Sequence, residues 1–324
     1  MLSFKRTCFF ILFFFFTSFA GSGFASSKGF WKTMSPAPTP RTEATAAIID
    51  HKIYLFGGFT PKGITNHVEV LDLKTGTWSK RQPMPKPLHH TSAVVAGGKI
   101  YVVGGFSSGM WTPVATNFEY DPVKDQWRKR KSMSTRRGAL ASGVIDGKIH
   151  AVSGAHKRFF RLVNTDAHEV YDPATDQWKT LEPIPTPRDH LTVSVVDGIL
   201  YAIGGRVDVN YDENLDENEA YDPRTGQWTK RSPLPTARSG ITSQVLSGKI
   251  YVFGGESGEG TFDENEAYDP GQNKWETMAP MPQSRHGLAS AVDEGKIHVL
   301  TGGPNPGGGG SDFYEVFSLD GLGN

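Results

Sequence analysis

Five arginines, Arg41, Arg137, Arg188, Arg238 and Arg285, recur at equivalent points of this chain, each 13 residues before an aromatic or imidazole side chain (Tyr54, His150, Tyr201, Tyr251 and His298). At the sixth such point, 13 residues before Tyr101, the residue is Leu88. The next two positions add His89 and His90, Asp189 and His190, Ser239, and His286. A guanidinium offers planar, forked donors that suit a carboxylate or phosphate. Imidazoles can hold a metal or move protons near neutral pH. If the fold brings them together, these arginines with His89, His90, His190 and His286 form an anion-binding mouth. An arginine repeated in nearly every unit also suits a scaffold role, bonding backbone carbonyls or the neighbouring unit. Trp111, outside any repeat, and Phe160 are stacking candidates beside that mouth.

The elements that must position these residues follow from a second periodicity. Trp31, Trp78, Trp127, Trp178, Trp228 and Trp275 are separated by 47, 49, 51, 50 and 47 residues. A diglycine or its relic keeps the same step: Gly57-Gly58, Gly104-Gly105, Ser153-Gly154, Gly204-Gly205, Gly254-Gly255 and Thr301-Gly302. Six copies of one unit therefore fill almost the whole chain. Each unit reads as four short strands. The first two are joined by a tight polar pair such as Asp146-Gly147, a hairpin signal. The third closes on Tyr-Asp-Pro, as at Tyr120-Asp121-Pro122, and the fourth carries the tryptophan.

A diglycine after an apolar strand, then Tyr-Asp-Pro, then Trp about six residues after the Asp resembles the kelch repeat, over residues 29 to 319. The resemblance implies an all-β, six-bladed kelch propeller. It also implies that Tyr54, Tyr101, Tyr201 and Tyr251 pack with the periodic tryptophans between neighbouring blades. His150 and His298 replace that tyrosine, and Ser153 and Thr301 replace the first glycine, so blades three and six depart most from the pattern. Trp31 precedes any complete unit, while the last unit stops at Phe317 without a tryptophan strand. Residues 29–34 are therefore expected to supply the outer strand of the sixth blade and close the ring. Residues 320–324 form a short tail.

Residues 1–25 read as a secretory signal peptide: Lys5-Arg6, an apolar run from Cys8 to Phe16, then small residues ending at Ala20 or Ala25. That run is too short for a comfortable membrane span. A secreted or periplasmic location is expected, with no stable membrane span after cleavage. Removing the leader leaves 32 basic against 34 acidic residues, and no nucleic-acid footprint is visible. The single cysteine, Cys8, leaves with it, so no disulfide and no thiol cofactor chemistry are expected. Galactose oxidase, a kelch-like enzyme, needs a Tyr cross-linked to Cys and is excluded. Plant specifier proteins share the fold but are cytosolic and iron-dependent, which the leader argues against.

The loops after the diglycines differ between blades and should carry specificity without supporting the fold: Phe106 to Trp111, His156 to Arg161, and Asp208 to Glu217. Asp208, Asn210, Asp212, Asn214 and Asp216 with Glu219 match calcium-loop spacing. However, Glu213 stands where the sharp turn needs glycine, and Glu219 belongs to a repeat-wide series with Glu69, Glu169 and Glu266. No metal and no cofactor are assigned. The leading reading is an exported binding module for a protein or glycan, anionic ligands included, recognised through the loop face. Two alternatives remain. One is a cofactor-independent carbohydrate mutarotase or epimerase, similar in architecture to the periplasmic sialic-acid mutarotases, with Glu43 beside Arg41 or His190 beside Arg188 as acid/base and carboxylate holder. The other is a metal-dependent enzyme using the mouth histidines.

Overall fold

The computed structural model describes residues 28–107 and 112–320; the leader-like segment of residues 1–25, Trp111 and the last four residues lie outside them. Six four-stranded antiparallel sheets are arranged as the blades of a propeller. Blade three is representative, with strands Ala141–Ile145, Lys148–Val152, His168–Asp172 and Gln177–Thr180 running outward in chain order. The innermost strands touch their neighbours in a closed circle. The first hairpin of that blade turns at Asp146 and Gly147, with φ of 49° and 73°, the left-handed pair that matches strand twist. No helix among the described residues is long and apolar enough to cross a membrane.

The diglycines are demanded by close approach between blades. Gly57 has φ 58°, and a side chain there would lie 2.3 Å from the Leu88 carbonyl oxygen of the next blade. Blade three tolerates Ser153 at φ 54° because its hydroxyl donates to the Arg188 carbonyl at 2.6 Å, so the strained residue gains a bond to the next blade.

The core lies between blades, not within them. Second-strand tyrosines reach third-strand aromatics of the next blade: Tyr54 to Tyr120, Tyr101 to Tyr171, Tyr201 to Tyr268 and Tyr251 to Phe317. His150 and His298 fill the same level as buried residues, bonded to His168 at 3.0 Å and to Tyr314 at 2.7 Å. The ring closes as expected: Phe30–Thr33 pairs antiparallel with Tyr314–Ser318, the third strand of blade six. Trp31 packs on Phe253 and Phe317, and its indole donates to the Ala279 carbonyl at 2.8 Å. Its ring is half-buried, because the outermost strand keeps one face to solvent.

Small hairpins project beyond the diglycines: Phe59–Thr60 with Gly63–Ile64, Ala155–Arg158 with Arg161–Asn164, Arg206–Val207 with Asn210–Asn214, and Glu256–Ser257 with Gly260–Thr261. Phe159 and Phe160 sit exposed at the tip of the second, Phe160 completely. The 208–217 loop is partly scaffold, since Asn214 donates to the Glu256 carbonyl, Leu215 to Gly205, and the Glu217 carbonyl accepts from Gly204.

Candidate functional site

The repeated arginines lie inside the blades. All five have no exposed surface. Each meets a third-strand glutamate of its own blade: Arg41 with Glu69 at 2.5 Å, Arg137 with Glu169 at 3.8 Å, Arg188 with Glu219 at 2.6 Å, Arg238 with Glu266, and Arg285 with Glu315 at 2.7 Å. Most of their other donors go to backbone carbonyls, as Arg188 does to Gly204, Thr186 and Ala202, although Nε of Arg41 and of Arg137 finds no partner among the described residues. Burial pulls all five below the ordinary guanidinium range, Arg137 to about 10, with the glutamates acting in the other direction. Blade two shows what the pair is for. Where the others have Arg and Glu it has Leu88 and Phe118, both buried in one apolar cluster, so both charges are replaced together. A buried pair can be exchanged for apolar residues, whereas one partner alone would leave an uncompensated charge. The arginines staple second and third strands to the turn before the blade, and they form no part of the ligand site proposed below.

Two residues after each arginine or Leu88 lies a second ring. Glu43, His90, Ala139, His190, Gly240 and Gly287 all adopt left-handed φ, between 51° and 66°. Each amide donates to the carbonyl of the preceding blade's member, from His90 to Glu43 at 3.1 Å around to Glu43 on Gly287 at 2.9 Å, closing a six-membered circle of backbone bonds. Blades five and six use glycine, as the conformation favours. Glu43, His90 and His190 keep large side chains there at a cost on the order of 1 kcal/mol or more each, which the scaffold does not require.

Those side chains converge. The Glu43 carboxylate lies 3.2 Å from His90 Nε2 and accepts a bond from His286 Nδ1 at 3.1 Å. His286 Nε2 meets the Asn305 carbonyl at 3.0 Å, so both ring nitrogens face acceptors and the imidazolium form fits. Burial disfavours charge on His286, but the bond to and charge of Glu43, with Glu256 nearby, raise it above its ordinary value. Burial likewise pushes the Glu43 carboxyl up, and His90 and His286 outweigh it and hold it well below the usual carboxylate range. His190 donates from Nδ1 to Asp189 at 2.5 Å and accepts at Nε2 from Arg206 at 2.8 Å. Arg206 also pairs with Glu256 at 2.6 Å. Glu256 in turn accepts from the Gly307 amide, on a glycine-rich strap over this side of the mouth. His89 is buried against Phe59 and Phe106 and shares a 2.5 Å bond with His90.

Glu43, His90 and His190 also line the closed end of a central cavity of about 430 Å³. Its wall carries small and hydroxyl residues, including Ser92, Ser142, Thr192 and Ser194, and its far end is a collar of Ile48, Val95, Val144, Val195, Val245 and Val292. No residue of the projecting hairpins lines it among those described. The open space therefore lies beneath the ring of left-handed residues, not among the loops. Glu43, His90 and His190 offer ligand atoms within 4.8 Å of one another, as do Glu43, Glu256 and His286. Arg206 occupies the His190 lone pair and a protonated His286 holds Glu43, so a cation would have to displace two resident positive groups, and no metal is assigned here. The calcium-like loop is committed otherwise: Asp208 accepts from the Asn164 amide, and Glu219 belongs to Arg188.

Sequence counting reached His89, His90, His190 and His286 through the repeat offset. It missed Arg206 and Glu256, which follow a diglycine at positions where other blades have Phe59, Phe106, Ala155 and Gly303. That departure from the repeat is the signal that would have found them.

A kelch-repeats domain described for KLHDC2, KLHL20 and DRC7 matches residues 29–205 and 163–321, almost all of the described chain. The chain belongs to the kelch-repeat family. This kelch propeller is 35% identical over 86 residues to Kelch-like ECH-associated protein 1A of Danio rerio, covering 26% of the chain and 14% of that protein. It is 32% identical over 187 residues to Kelch-like protein terF of Aspergillus terreus, covering 54% of the chain and 41% of that protein. The chain thus spans less than half the length of these curated relatives. Among solved structures, YjhT superposes with a TM-score of 0.75 at 16% identity, over 86% of this chain and 95% of that one, a likeness of fold.

Burial leaves several histidines of the propeller neutral: His89, His150 and His298 are pulled down to about 4, His168 to about 3, and His90 well below its ordinary value. Their folded pKa lies below the unfolded value of about 6.5, so no stability depends on them above that pH. As pH falls from about 6.5 toward 4, only the unfolded chain gains protons and stability is lost. His286, raised in the fold, contributes in the opposite sense, below its unfolded pKa. The expected result is a net uptake of about four to five protons on unfolding near pH 5, read from urea unfolding across a pH series. A slope of one proton or less contradicts these neutral assignments.

Proposed function

We propose that this kelch propeller is an exported glycan-binding module that takes one sugar unit in its central cavity, against Glu43, His90 and His190. The observation that carries the reading is the retention of three polar side chains in a strained left-handed conformation that blades five and six relieve with glycine. A carboxylate and two imidazoles at the end of a hydroxyl-lined cavity supply both donors and acceptors, which polyhydroxylated rings need. Its volume falls within the range of small-molecule sites. Export rests on the leader-like segment of residues 1–25.

The test uses calorimetry with neutral and acidic mono- and oligosaccharides. His90→Gly installs the residue that the ring accepts elsewhere, so the melting temperature should hold while affinity for the bound sugar falls at least about tenfold, about 1.4 kcal/mol. No sugar binding anywhere in the panel, or equal binding by His90→Gly, rejects the reading.

A second reading is favoured by one observation, the imidazole of His190 oriented by Asp189 with its other nitrogen on Arg206. That arrangement suits a proton-transferring group beside a cation, the needs of a cofactor-independent carbohydrate isomerase. The sequence pairings Glu43 with Arg41 and His190 with Arg188 are replaced here by His190 with Arg206. Proton spectra of freshly dissolved sugars, with and without protein, separate the two: faster anomer exchange that His190→Gly abolishes supports the enzyme.

A further inference from the structure

The ring is packed unevenly at its seam. In five blades the outer-strand tryptophan donates its indole proton to a backbone carbonyl of the preceding blade: Trp31 to Ala279, Trp127 to Gln82, Trp178 to Lys131, Trp228 to Glu182 and Trp275 to Ser232, at 2.7 to 3.0 Å. Each of these rings also rests on the aromatic residue paired across from it on the third strand, Phe317, Tyr120, Tyr171, Tyr221 or Tyr268. Trp78 of blade one has neither an acceptor for its indole nor an aromatic neighbour among the described residues. Its cross-strand partner is Leu71. A leucine leaves the position of a tyrosine ring empty, and it borders a cavity of about 320 Å³ between blades one and six.

The lining of this cavity specifies what would fill it. Met34, Leu71, Leu73, Trp78, Tyr314 and Val316 give an apolar slot with the Trp78 indole beside it. The phenol of Tyr314 is committed to His298. At the rim, Asp293 and Glu294 lean to His51, at 3.0 and 3.7 Å. Lys32 and Lys296 stand at the same rim with no carboxylate partner among the described residues.

We propose that the gap between blades one and six is a second ligand site, separate from the central cavity, for a small anion with a flat apolar body such as an aromatic carboxylate or sulfonate. The ring takes the place of the missing tyrosine against Trp78 and Leu71. An oxygen of the anionic group accepts the free indole proton, and Lys32 and Lys296 supply the balancing charge. The fit follows from this chain's departure from its own repeat, because the other blades fill the position with a side chain.

Anilinonaphthalene sulfonate is the probe, titrated into the folded full chain by calorimetry and fluorescence. One saturable site per chain is expected. Leu71→Tyr restores the repeat residue and should remove that site while raising the melting temperature. Lys32→Glu with Lys296→Glu lies at the exposed rim and should weaken the probe at least fivefold without changing the melt, and it decides the question should Leu71→Tyr fail to fold. Absence of saturable binding, or binding that neither variant alters, overturns the proposal and leaves the gap as a packing defect.

Discussion

Removing residues 1–34 should lower the melting temperature by about 10 °C and broaden the transition. Phe30–Thr33 is the outer strand of blade six, bonded along its length to Tyr314–Ser318. Its loss uncovers Phe317 and Val316, which are buried in the intact ring. It also removes Trp31, whose ring lies against Phe253 and Phe317 and whose indole bonds to Ala279. Area lost from a large apolar side chain costs about 1.5–3 kcal/mol, and the indole bond adds about 1 kcal/mol. For a domain of this size each kcal/mol shifts the melt by about 2–4 °C. The cut also leaves a three-stranded blade with an open edge, an aggregation template. Differential scanning calorimetry of the two chains decides it: an unchanged melt would mean that the N-terminal strand is not what closes the ring.

The largest single-residue effect should come from splitting an arginine–glutamate pair. Arg41→Leu leaves the Glu69 carboxylate buried with only Thr39 to bond it, a loss of about 3–5 kcal/mol. Arg41→Leu combined with Glu69→Phe reproduces the Leu88 and Phe118 pair of blade two and should recover most of that loss. The comparison is a double-mutant cycle, in which residues in contact show strong coupling. Additive losses, with the double variant worse than either single, would contradict the staple role. If instead Arg41→Leu folds with unchanged stability but loses a ligand, the arginines belong to function after all.

The fold was legible in the sequence because propeller packing repeats. Trp31 without a unit and Phe317 without a tryptophan strand predicted the closure, and the diglycines marked the repeat, whereas their reason, the close approach of Gly57 to the Leu88 carbonyl, came from the structure. The role of the arginines was half-legible. Their offset from the second-strand aromatic was plain, yet direction was not: an arginine near a turn can face a pocket or its own blade. The deciding clue is Leu88 with Phe118, two departures in one blade that make sense only if the residues touch. The cavity end was found only through neighbours. His190 was picked as an imidazole beside an arginine and His90 as a departure from the repeat in the blade that has Leu88, whereas their importance lies in left-handed backbone that glycine would relieve, a property of geometry that no residue count shows. Arg206 and Glu256 lie in loops of differing length, where the repeat gives no register. The seam gap was written in Leu71, which breaks the tyrosine series of Tyr120, Tyr171, Tyr221 and Tyr268.

The central claim is that function resides at the closed end of the central cavity while the other buried polar residues serve the scaffold. Ring-nitrogen correlation spectra of the nitrogen-15 histidine-labelled protein, recorded during titration with the sugar that calorimetry selects, test it most directly. The account predicts that the resonances of His90, His190 and His286 move together to saturation while those of His150, His168 and His298, buried between blades, stay fixed. Saturable binding with no change at His90 and His190, or with changes confined to the interblade histidines, would contradict it.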